Sequence, residues 1–137
     1  MVEIKIDYQG DLHCRAVHGP SGAVLETDAP VDNNGRGESF SPTDLVATAL
    51  GACMTTVVGI VAKRKEIDLQ GMKVTVKKHM STDTPRRIAK LEVDIEMPLP
   101  AGHPERRLLE STGNACPVHQ SLHPDVVQEI RWHWQEA

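Results

Sequence analysis

At 137 residues the chain suits one domain that buries roughly two-thirds of the surface its unfolded form would expose. Aromatic residues make up only 3% of it, so the core must be built from aliphatic side chains, Ala and Met, and large aromatic cages for ligands are excluded. A net charge of -4 offers phosphates no basic field, which argues against nucleic-acid binding, and three Cys at wide spacing do not make the disulfide framework of a secreted mini-protein.

In residues 2–8, Val2, Ile4, Ile6 and Tyr8 alternate with Glu3, Lys5 and Asp7, the period of a half-buried strand. No basic stretch followed by an apolar one marks a signal or transit peptide there, so a cytoplasmic location is expected. A turn at Gln9-Gly10-Asp11 returns the chain as a second strand over 12–18. Gly19-Pro20-Ser21-Gly22 then turns it into a third over 23–27, completing a meander. Residues 28–40, with Pro30, Asn33-Asn34-Gly35 and Gly37, form a polar loop long enough to carry function.

The next stretch organises the chain. Ser41 suits an N-cap, Pro42 the first helical position and Asp44 the acid of a capping box, while Lys63-Arg64-Lys65 complements the negative end of the helix dipole. Between those ends, residues 45–62 carry no charge and are apolar or small on every side, which predicts a long helix buried all round. Its length also meets the lower limit of a membrane span. Amphipathic strands on both sides and a mean hydropathy of -0.33 favour the core helix of a soluble protein, with no membrane partner. Ala47, Ala49, Gly51 and Ala52 keep the helix thin beside Cys53, which predicts a close helix-to-helix contact across a dimer.

Beyond the helix, residues 72–77 and 89–97 alternate again and predict a hairpin, broken at Pro98-Leu99-Pro100. A short helix follows over 104–111, loosened at Gly113-Asn114, and a helical turn begins at Cys116-Pro117. Val126, Gln128, Ile130, Trp132 and Trp134 then alternate with polar residues in a last strand over 126–134. Strands grouped around helices, without an internal repeat or dividing linker, predict a single α+β domain over 1–137.

Cys53, inside a buried helix, has the setting of a packed small hydrophobe as much as of a reactive thiol. Cys116 stands at the start of a helical turn, where free N–H groups favour thiolate, so the local pattern makes it the more acidic of the two. His119 either assists it or faces solvent. Cys14, sharing a strand face with Leu12 and Ala16, reads as packing. Cys116 and His119 have a ligand-like spacing, but no CxxC or HExxH accompanies them, and no metal is expected. No GxGxxG, P-loop or GxSxG elbow is present.

Taken together, Ser41-Pro42-Thr43-Asp44-Leu45 leading to Gly51-Ala52-Cys53, and Ala115-Cys116-Pro117-Val118-His119-Gln120-Ser121-Leu122 further on, resemble the OsmC/Ohr family of thiol-dependent peroxidases. The resemblance implies an OsmC-like α+β fold of a three-stranded meander, long central helix, hairpin, two short helices and final strand, in an intertwined homodimer with active sites at the interface. It also implies a cofactor-free peroxidase that reduces organic hydroperoxides or hydrogen peroxide in an oxidative stress response. By the same resemblance, Cys53 would be oxidised to a sulfenic acid and Cys116 would resolve it as a disulfide, reopened by a dithiol such as a lipoyl group. Organic-hydroperoxide members carry Glu after the Pro of this helix start, paired with Arg; here Thr43 stands in that place. The candidates to stabilise the thiolate are therefore Arg36, Glu38, Arg15, Asp44 and His119. The alternative reading is a non-catalytic dimer of the same fold that binds a small ligand.

Overall fold

The computed structural model describes residues 1–136, which group into two compact units, Met1–Val46 and the chain from Ala47 onward. In the first, β1 (Ile4–Tyr8), β2 (His13–His18) and β3 (Val24–Asp28) form the expected antiparallel meander, with Ile6 opposite Ala16 and Ala16 opposite Leu25. The second strand starts one residue later than its apolar pattern because Asp11 and Leu12 take left-handed backbone angles (φ 52° and 60°) in the turn. The long loop is tied at both ends, by Ala29 N–H to Leu12 C=O and Asp28 N–H to Phe40 C=O, each 3.1 Å. Within it, a Cβ on Gly35 would stand 1.7 Å from the Ala29 carbonyl oxygen, so only glycine fits there.

The central helix α1 (Pro42–Arg64) begins with the predicted capping box. Ser41 N–H donates to Asp44 Oδ2 (2.9 Å) and Asp44 N–H donates back to Ser41 Oγ (3.1 Å), satisfying two N–H groups at the helix end. Ser41→Ala should lower the midpoint of urea unfolding by the equivalent of about 1 kcal/mol.

In the second unit, β5 (Ile88–Pro100) lies between β4 (Lys73–Met80), which is antiparallel to it, and β6 (Val127–Gln135), which is parallel. The hairpin β4–β5 matches the sequence pattern. The parallel pair does not follow from periodicity, and it requires a crossover, supplied by α2 (Arg106–Gly113) and α3 (Pro117–Ser121). The strand also runs through Pro98 to Pro100 rather than breaking there. Its pairing with β4 ends at Glu96, so those prolines interrupt no ladder on that side.

Leu50, Met54 and Val58, one turn apart on α1, are fully buried in a core with Leu91, Val93 and Ile95 of β5, Leu109 of α2 and Cys116. The expectation of a helix buried all round is corrected here. Ala49, Ala52, Thr56 and Ile60 line an exposed face, because the sheet covers one side of the helix and within the chain the opposite side stays open. Gly51 also serves the sheet: a Cβ there would come within 2.9 Å of a Val76 methyl and 3.2 Å of a Val74 methyl on β4.

Candidate active site: a buried thiol beside a half-buried one

The fold brings two of the three cysteines together. Cys53 is half-buried on α1, Cys116 is fully buried as the N-cap of α3, and all three thiols are free. Cys116 Sγ accepts the His119 N–H at 3.3 Å and has the Cys53 thiol as a neighbour. Burial pushes the Cys116 thiol above its ordinary pKa, and the neighbouring Cys53 sulfur pushes it in the same direction; the His119 and Val118 N–H groups oppose this without prevailing. That corrects the expectation that the helix start lowers the pKa of Cys116. A helix of five residues carries a small dipole, and desolvation outweighs it. Cys116 is thus the thiol that holds its proton, and Cys53 is the one of the pair that solvent reaches.

His119 is fixed by a residue that the motif did not include. Its ring Nδ1 bonds Gln128 Oε1, and Gln128 Nε2 donates to the His119 carbonyl at 3.4 Å. The signal was present in the sequence, since Gln128 is the polar member of the otherwise apolar face Val126, Ile130, Trp132, Trp134. His119, Leu122, Val126 and Gln128 help to line a pocket of about 420 Å³ beside α3.

The other candidates lie in the first unit and have partners there. Arg36 Nη2 stands 3.5 Å from the buried Asp28 carboxylate, which bonds His13 Nδ1 at 2.7 Å, and His13 Nε2 faces Glu26 at 3.6 Å. Arg15, half-buried on β2, pairs in register with Asp7 and Glu26. Glu38 is exposed beside a shallow pocket with Phe40 and Asp44, and the Asp44 carboxylate is used by the capping box. Cys14 is half-buried in the middle strand of the meander. Among the described residues, no group of three or more His, Cys, Asp and Glu side chains could hold a metal ion.

The Asp28 and Glu26 carboxylates raise the His13 pKa above its ordinary value, and His13 in turn lowers that of Asp28. A raised imidazole pKa stabilises the fold fully below the unfolded value and loses that contribution as pH rises through the folded one. The thermal midpoint of the wild type should therefore fall relative to that of His13→Gln as pH is raised from 6 toward 9. A constant difference between the two across that range would contradict the pairing.

Fold and site define an α+β protein in which two of three thiols are neighbours, one on the central helix and one at the N-cap of a short helix. The chain belongs to the OsmC-like protein family, which it matches over residues 35–131. It is similar to a crystal structure from Psychrobacter arcticus 273-4, described as that of an osmotic stress induced and detoxification response protein (43% identity, TM-score 0.90, 97% of this chain and 96% of that one). It shares its fold with an organic hydroperoxide resistance protein OsmC from Legionella pneumophila (15% identity, TM-score 0.75, 97% and 96% covered). An OsmC-like protein of unknown function from Vibrio cholerae has the same fold (12% identity, TM-score 0.72, 95% and 98% covered). No curated protein matches the chain.

Proposed function

We propose that this single-domain protein is a cytoplasmic, thiol-dependent peroxidase in which Cys53 attacks the peroxide and Cys116 resolves the product. The observation that carries the reading is the asymmetry of the pair: two free neighbouring thiols, one half-buried, the other buried and holding its proton. The Cys53 thiolate attacks the outer peroxide oxygen, the O–O bond breaks, and the departing alkoxide takes a proton to leave as alcohol. The sulfenic acid on Cys53 is then attacked by Cys116, forming the disulfide and releasing water. A dithiol of the lipoyl class returns both thiols and is itself oxidised. Organic hydroperoxides are the favoured substrates, in keeping with the name of the Legionella relative.

The working unit is a homodimer. Ile4, Ile6 and Tyr8 of β1 are each more than half exposed, and the open face of α1 is lined by Ala49, Ala52, Thr56 and Ile60. Apolar surface of that kind is expected to be covered by a partner. Light scattering after gel filtration should give twice the 15.1 kDa chain mass; the single-chain mass would rule the homodimer out.

Peroxide consumption by Cys116→Ser tests the roles. It should remove one hydroperoxide per chain in the absence of reductant and leave a sulfenic acid on Cys53 that a 1,3-diketone probe captures. Untouched Cys53 with no peroxide consumed by the wild type would instead favour the ligand-binding dimer.

A further inference from the structure

We infer that Gln128 is a positioning residue for the resolving step, acting through His119 to hold the Cys116 sulfur where the Cys53 sulfenic acid forms. The inference rests on the roles proposed above for the two cysteines.

The face of β6 that looks into the core is apolar except at Gln128, which stands in register beside the fully buried Leu91 of β5. A polar amide at such a position costs stability unless its groups are bonded. Both of its bonds go to one residue, with Nε2 to the His119 carbonyl and Oε1 to the His119 ring. These bonds define each other. A carbonyl only accepts, so the amide NH2 must face it, which turns Oε1 toward Nδ1 and leaves the proton on Nδ1. Ring and main chain of His119 are thus clamped by one side chain, and the main-chain N–H of the same residue reaches Cys116 Sγ at 3.3 Å.

The clamp runs from β6 to a thiol on a helix of only five residues, which Val118 and Leu122 also pack against the core. Two further ties hold the preceding crossover to the same face of β6, Trp132 Nε1 to Asn114 Oδ1 (3.2 Å) and Trp134 Nε1 to Glu110 Oε1 (2.8 Å). Neither reaches α3. In the resolving step the Cys116 sulfur attacks the Cys53 sulfenic sulfur, the S–S bond forms and the S–O bond breaks. The departing hydroxide takes the Cys116 proton and leaves as water. Negative charge grows on the buried Cys116 sulfur as that proton departs, and the His119 N–H is the donor placed to receive it. Gln128 keeps that donor and the sulfur in register.

The test separates the two chemical phases in rapid-mixing experiments with one equivalent of cumene hydroperoxide, comparing wild type, Gln128→Met and Gln128→Glu. Met keeps the volume and loses both bonds, whereas Glu keeps an acceptor for the ring. Sulfenic acid formation on Cys53 should stay within about twofold in all three, while disulfide formation slows about tenfold in Gln128→Met and recovers partly in Gln128→Glu. A 1,3-diketone probe should then capture more Cys53 sulfenic acid in Gln128→Met than in wild type. Disulfide formation at the wild-type rate in Gln128→Met would overturn the inference, as would equal slowing of both phases, which marks a merely structural role. A wild type that forms no Cys53–Cys116 disulfide would overturn the underlying reading of the two cysteines, and the inference with it.

Discussion

Cys53→Ser should abolish hydroperoxide consumption, with a fall on the order of 10³-fold or more in the second-order rate. A serine hydroxyl does not ionise near neutral pH and has no sulfenic acid state, so both the nucleophile and the product of the first step are lost. The remaining thiol of the pair cannot take over. Cys116 is 0% exposed, and burial raises its pKa, so it is neither reachable nor readily ionised. Because Ser is close to Cys in volume and position 53 is only half-buried, the thermal midpoint of the variant should stay near that of the wild type. Peroxide loss followed colorimetrically in the presence of dihydrolipoamide measures the effect. A variant that still consumed a tenth of the wild-type rate would remove Cys53 from the chemistry.

The largest effect on stability is expected at Leu50. Its side chain is fully buried between α1 and the sheet, so Leu50→Ala should destabilise the protein by about 2–5 kcal/mol through lost transfer energy and the cavity left behind. Urea unfolding should show a lower midpoint with an unchanged slope. Ile60→Ala, two to three turns along the same helix but 47% exposed, supplies the contrast. Its cost should be small at low protein concentration and grow with concentration, because a dimer that covers this face would make the side chain part of an interface. Equal losses at Leu50 and Ile60, independent of concentration, would contradict a helix with one buried face.

The strands of the second sheet were legible because their side chains alternate between a dry face and a wet one, whereas β1, whose alternation predicts a half-buried strand, is exposed on both faces within the chain. Val93 and Ile95 against Glu92 and Asp94 carry that signal directly. The start of α1 was legible for a different reason: a capping box is a local chemical device, and Ser41 and Asp44 form it within one turn. What composition could not convey is how many sides of α1 are covered. Ala, Gly and Thr are as compatible with an open face as with a buried one, and the chain alone covers only the side of Leu50, Met54 and Val58.

The site was half legible. Two cysteines in their motifs marked it, but the local rule for thiols at helix starts gave the wrong direction for the Cys116 pKa, because desolvation depends on what surrounds the sulfur in three dimensions. Gln128 was visible as a polar residue on an apolar face, yet its partner is nine positions away across the α3–β6 connection, a pairing that no periodicity predicts. The parallel β5–β6 pair escaped for the same reason. Arg36 was a fair candidate for a functional cation from sequence, and it proves to pair with the Asp28 carboxylate, which also bonds His13.

The measurement closest to the central claim is the intact mass of the reduced protein before and after one equivalent of an alkyl hydroperoxide, followed by peptide mapping of any crosslink. The paired-thiol mechanism predicts a product lighter by two hydrogens, about 2 Da, whose crosslinked peptides contain Cys53 and Cys116. If the peroxide disappeared while both thiols stayed free, or if Cys14 carried the oxidation, the paired-thiol mechanism would be wrong.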